Sequence, residues 1–146
     1  MSSHEVHPFS SFNDLVGHRE AIELVPAFGA LFWPAFVSVR GCVLLRDRYE
    51  ENNFDQWWNE LSGRRGDIER VLNHLHLWDL FESRDEISDQ MLEELAEVLA
   101  KVWRCALAEQ FPDRRFEVSV ASGVDEYGPT LSFRSTSDLL PRQTGP

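Results

Sequence analysis

Long apolar runs are missing from this chain of 146 residues. None approaches the ~20 residues that a bilayer-spanning helix needs. The start, MSSHEVHPFSSF, lacks the basic opening and apolar core of a secretion signal, so the expected location is the cytoplasm. Cysteine is scarce. Cys42 and Cys105 are too few for a disulfide framework and are expected as buried free thiols, with a single bridge between them as the alternative. Positive charge is also scarce: 14 Lys and Arg stand against 25 Asp and Glu, a net charge of −11. Nucleic-acid binding needs a basic footprint, and docking on anionic lipid needs basic residues near the surface; neither class of partner is expected. The chain has no serine elbow, phosphate loop, dinucleotide fingerprint or metalloprotease helix. No internal repeat appears.

The acidic excess is concentrated. Residues 50–97 hold fourteen acidic and four basic side chains, or −10, whereas residues 1–49 sum to −1 and residues 98–146 to zero. Such a region either solubilises the fold or steers it towards a basic partner. The second reading makes Glu50, Glu51, Asp55, Glu60, Glu93, Glu94 and Glu97 candidate contact residues.

The strongest structural signal is Ser88 to Phe111. Leu92, Leu95, Ala96, Leu99, Val102, Trp103 and Ala106 recur at three- and four-residue steps, one face of an α-helix. Ser88 suits the N-cap, acidic residues crowd the first turns, and Pro112 ends the helix near Phe111. Earlier, Ser11 and Asp14 form a capping-box pair for a short helix with Phe12, Leu15 and Val16 on its apolar face. HREAIELV (18–25) continues it or forms another, and Pro26 closes the segment. AFGALFWP (27–34) reads as a hydrophobic loop folded over the core, or a binding surface if exposed. AFVSVRGCVLLRD (35–47) reads as one strand, with Gly41 marking a bulge or close approach and both faces covered.

Asn53 is expected to cap a helix whose stripe is Phe54, Trp57, Trp58 and Leu61, with Gly63 as its left-handed terminator. Asp67 caps a third helix with Ile68, Val71, Leu72 and Leu75 on one face. That pattern blurs over His76–Phe81. Residues 82–87 link to the long helix. Phe116, Val118 and Val120 alternate as a half-buried strand, 122–128 forms a hairpin loop, and Leu131 and Phe133 mark the return. The expected fold is a single α+β domain over 11–135. A small, mostly antiparallel sheet of about three strands packs against the long helix and several shorter ones. A flexible start (1–10) and a loose polar tail (136–146) flank it.

Five groups of residues bear on chemistry. His74-x-His76 would face one way in a strand and could hold a metal; in the expected helix the two point to nearly opposite sides, and no third ligand stands out. The expectation is therefore no metal and no cofactor. Cys42 sits in an apolar strand that raises its pKa, the reverse of what a nucleophile needs. Asp125-Glu126-Tyr127 at a hairpin tip and His18-Arg19-Glu20 both read as ordinary polar surface. Trp33, Trp57, Trp58, His76, Trp78, Asp79 and Tyr127 would line an aromatic pocket if one exists. The leading functional expectation is a non-enzymatic binding, adaptor or inhibitor module that contacts a protein with a basic surface. The alternative is an enzyme or small-molecule binder with that aromatic pocket. A self-associating structural protein is the third.

Overall fold

The stripe spaced at three and four residues becomes the buried side of a long helix, which we label α4, Asp89–Gln110. Leu92, Ala96, Leu99, Ala100, Trp103, Ala106 and Leu107 are all buried along it. Ser88 caps its start, its hydroxyl accepting from the Met91 amide at 3.2 Å, and the helix ends at Phe111 just before Pro112. The computed structural model describes residues 11–81, 87–122 and 127–136. The expected flexible start at 1–10, linker residues 82–86, hairpin-tip residues 123–126 and the tail from 137 lie outside the described residues.

Ahead of α4 come α1 (Val25–Phe32), strands β1 (Phe36–Val39) and β2 (Cys42–Leu45), helices α2 (Glu51–Glu60) and α3 (Arg65–Leu72), and strand β3 (His74–His76). Strands β4 (Phe116–Ala121) and β5 (Thr130–Ser135) follow it. The fold is α+β with two antiparallel sheets. One is the β1–β2 hairpin; the other has the order β3-β5-β4. Helix α4 lies on the inner face of the three-stranded sheet, where Leu75, Val118, Leu131 and Phe133 join its stripe in one core.

The single strand expected over 35–47 is instead a hairpin. Phe36 pairs with Leu45 and Val39 with Cys42, and Arg40 and Gly41 make the turn at positive φ, +49° and +82°. Two consecutive left-handed residues match the right-handed twist of the strands. Gly41 suits this position by its positive φ, and a Cβ there would lie 2.7 Å from the Arg65 guanidinium, which would have to shift. Arg40 tolerates its conformation while its guanidinium lies over the Trp58 and Phe54 rings and 3.5 Å from Asp55. All four residues of β2 are buried. Val43 and Leu45 face the main core, and Cys42 and Leu44 face a second one with Phe54 and Ile68. Coverage on both faces was legible in the apolar tail; the reversal at Arg40-Gly41 was not.

Three local readings also need correction. Pro26 opens α1 in its first turn, where a missing amide proton costs nothing, instead of closing the preceding segment. Helices α2 and α3 begin at Glu51 and Arg65, so neither Asn53 nor Asp67 is a cap. Asn73 ends α3, and His74–His76 pairs with β5 (His74↔Ser132, Leu75↔Leu131, His76↔Thr130) in place of continuing the helix.

The two sheets are joined by side chains. Strand β3 covers β5 only as far as Ser132, so the edge of β5 from Phe133 to Ser135 is open on that side. The outer edge of β2 faces it, and α3 lies between. Glu69 and Asn73, one helical turn apart and both 0% exposed, fill the gap. Glu69 accepts from the amides of Val43 (2.8 Å) and Ser135 (2.9 Å) and from the Ser135 hydroxyl (2.8 Å). Asn73 accepts from the Leu45 amide (3.1 Å) and donates to the Val43 carbonyl (2.8 Å). Replacing Glu69 by Gln turns one acceptor into a donor facing backbone N–H groups. Glu69→Gln is expected to lower the unfolding free energy in urea by roughly 3 kcal/mol; a loss under ~1 kcal/mol would show that the splice contributes little.

Candidate functional site

Strand alternation sends Leu75, Val118, Leu131 and Phe133 inward and leaves a polar outer face. Across that face the register aligns His74 with Ser132 and Ser132 with Ser119. The Ser119 and Ser132 hydroxyls are 3.2 Å apart, and Arg134 pairs with Glu117 at 3.2 Å. Arg70, His74, Glu117, Ser119, Ser132 and Arg134 border a shallow concavity of about 390 Å³.

The two histidines now lie on one side. Their Nε2 atoms approach to 2.9 Å, with the rings nearly perpendicular, at 80°. His76 Nδ1 is 3.0 Å from the Thr130 hydroxyl, and that hydroxyl donates to the Gly128 carbonyl at 3.3 Å. Because the Thr130 proton is engaged, its oxygen is the acceptor and His76 Nδ1 the donor. That assignment puts the His76 lone pair on Nε2, which faces His74 Nε2. Tyr127 lies against the His76 ring, centroids 5.2 Å apart. Partial desolvation, and secondly the His76 ring, hold the His74 pKa below its ordinary value.

A second concavity, about 200 Å³, opens beneath α1. Ala27, Ala30, Leu31, Leu45, Leu75 and Trp103 give it an apolar wall, and Asp47 and Arg48 its charged part. Trp103, itself buried, donates through Nε1 to the Leu31 carbonyl at 2.8 Å and so ties α1 to α4. No residue from Phe12 to Trp33 is buried. The expected capping box is present, Ser11 N donating to Asp14 at 2.8 Å, but it starts a short 3-10 turn, Phe12–Leu15. The expected apolar face of that segment points to solvent: Phe12 is 83% exposed, Val16 82% and Ile22 70%.

The residues named for an aromatic pocket are dispersed. Trp33 is exposed at the end of α1. Trp57 and Trp58 are half-buried on α2, where Trp58 packs on Phe54. Asp79 is exposed in a 3-10 turn, Leu77–Leu80. Trp78 donates to the Asp89 carboxylate at 2.8 Å and crowds Gly128, where a Cβ would meet its ring at 2.7 Å. Of the set, His76 and Tyr127 are brought into ring contact, with Trp78 beside Gly128. Trp103, absent from the expected set, lines the cavity beneath α1.

The acidic candidates occupy two elements. Glu50 precedes α2, and Glu51, Asp55 and Glu60 lie on it; Asp55 faces Arg40, and Glu60 accepts from Gln56 at 3.2 Å. Glu93, Glu94 and Glu97 lie on α4 and border a groove of about 530 Å³ with Gln90, Val98 and Val120. His18 approaches Glu20 at 3.4 Å on the surface. Asp125 and Glu126 lie outside the described residues.

Sequence reasoning missed Glu69, Asn73 and Arg114. Arg114 donates to the Gly41 carbonyl and to the Ser135 hydroxyl, each at 2.7 Å. The available signal was spacing: Glu69 and Asn73 repeat the step of Ile68 and Leu72 beside them. Among the described residues, no three His, Cys, Asp or Glu side chains gather as metal ligands, and no helix is long and apolar enough to cross a membrane.

The cysteines divide. Burial, and then the nearby Glu69 carboxylate, push the Cys42 thiol up to about 11. Cys105, expected to be buried, is exposed on α4 and unpaired. Iodoacetamide at mildly alkaline pH is expected to label Cys105 in the folded protein and Cys42 only after denaturation; peptide mass mapping would refute this if both labelled together. No family model, no curated protein and no solved structure matches this chain.

Proposed function

We propose that this protein is a non-enzymatic binding module, an adaptor or inhibitor, whose protein partner covers the apolar segment 12–33. The observation that carries this reading is the exposure of that segment. Phe12, Leu15, Val16, Ile22, Leu24, Val25, Phe28 and Trp33 are all exposed large apolar side chains within 22 positions. Scattered exposed apolar residues are ordinary, whereas a run of them on one stretch marks an interaction surface. Covering it returns ~25 cal/mol for each Å² of apolar area removed from water. The partner we propose has a basic surface. The groove beside α4 supports this, because Glu93, Glu94 and Glu97 flank Val98 and Val120 without a basic residue among its lining. A cytoplasmic setting fits two unpaired thiols, one of them exposed.

The test is affinity capture with the wild-type chain as bait, repeated with Ile22→Asp and with Glu93→Lys/Glu94→Lys/Glu97→Lys. Ile22 is exposed, so its replacement should leave stability within ~0.5 kcal/mol. Ile22→Asp is expected to weaken a specific partner by at least ~10-fold, as for a residue central to an interface. The triple charge reversal should weaken it further and flatten its salt dependence. A partner held equally by all three baits would overturn the proposal.

A further inference from the structure

We propose that His74 and His76 form a chelating site for a divalent first-row transition-metal ion on the outer face of the three-stranded sheet. The helix that would have separated the two imidazoles is a strand, so residues i and i+2 share a face. Their Nε2 atoms converge to 2.9 Å. Two nitrogens bound at ~2.0–2.1 Å with a right angle between the bonds lie about 2.9 Å apart, and with a tetrahedral angle about 3.3 Å apart. The pair thus fits a right-angled edge as it stands, and a tetrahedral one after opening by about 0.4 Å.

The supporting groups suit the same role. A ligating histidine usually donates its second ring nitrogen to a fixed acceptor, which sets the tautomer and the ring orientation. Thr130 does this for His76, and its own proton is committed to Gly128. Tyr127 restrains the same ring by contact. Arg70, Glu117 and Arg134 share the concavity of His74; Arg134 is paired with Glu117, while Arg70 opposes a cation there. Imidazole nitrogens select zinc, copper, nickel or cobalt over calcium or magnesium. With two protein ligands, water or a ligand atom from outside the chain completes the coordination.

The contact has a plainer reading, in which His74 donates a proton to His76 and no metal takes part. Titration separates the two. Zinc added to the full chain at pH 7.5 is expected to bind saturably, as followed by calorimetry, and to shift the Nε2 resonances of both histidines in nitrogen NMR. His74→Gln/His76→Gln should lose that binding. Thr130→Val, which removes the acceptor and leaves both ligands, should weaken it by ~10-fold or more. No saturable binding by the wild type, unmoved Nε2 resonances, or unchanged binding by the double variant would each overturn the proposal. Because the NMR readout uses the wild-type protein, it decides the matter even if a variant fails to fold.

Discussion

Two polar side chains do the work of a missing β-strand. The open edge of β5 and the outer edge of β2 face each other with α3 between them. Backbone groups there would be buried and unpaired, at ~1–3 kcal/mol each. Glu69 and Asn73 supply acceptors and a donor at the spacing the two edges require. A carboxylate suits the first position because three donors converge on it, two of them amides of different sheets. An amide suits the second because it must accept from Leu45 and donate to Val43. Among the described residues, no buried side-chain nitrogen or oxygen is left without a partner. That is the condition under which a buried polar network specifies one arrangement.

The same splice sets the chemistry of the outer face. Asn73 is held between β2 and β5, where α3 ends. His74 begins a strand, and the ladder with β5 sets which face its ring lies on. Leu75 goes to the core and the two histidines to solvent. Thr130, opposite His76 in the register, becomes its hydrogen-bond partner. The imidazole pair thus follows directly on the buried amide of Asn73, which stands one helical turn after the buried carboxylate of Glu69.

What the sequence made legible follows from how local each signal is. Helix α4 was readable nearly to its termini because its stripe lies within its own span and its Ser88 cap and Pro112 stand at or just beyond its ends. The β4–β5 hairpin was readable by alternation. Strand β3 was not, because its three residues are a strand only through pairing with residues more than fifty positions away; tertiary pairing overrode the helical period. The β1–β2 turn was missed because Arg40 gives no turn signal, its left-handed backbone being compensated by Trp58, Phe54 and Asp55 from α2. Val71, expected in the buried stripe of α3, is exposed, and Glu69 takes the inward position beside Ile68. A hydrophobicity pattern cannot report that choice, since it scores a buried, fully bonded glutamate as surface. The proposed contact acids and the histidines were named from sequence. The arrangement of the histidines follows from strand β3, which was not.

Buried polar and exposed apolar groups are the informative departures from ordinary burial, and the described residues show both, Glu69 with Asn73 and segment 12–33. The first is resolved within the chain: every bond of Glu69 and Asn73 has a partner in the fold. The second is not resolved within the described residues. Segment 12–33 touches the body chiefly through partly buried Leu31 and Phe32 at its end and through the bond from Trp103 to Leu31. Its remaining large apolar side chains stay exposed. A folded core would bury such residues, and a solubilising surface would replace them with charge, as residues 50–97 do. Among the described residues neither core packing nor solubility accounts for Phe12, Val16 and Ile22, and that exposure is what the proposed partner would relieve.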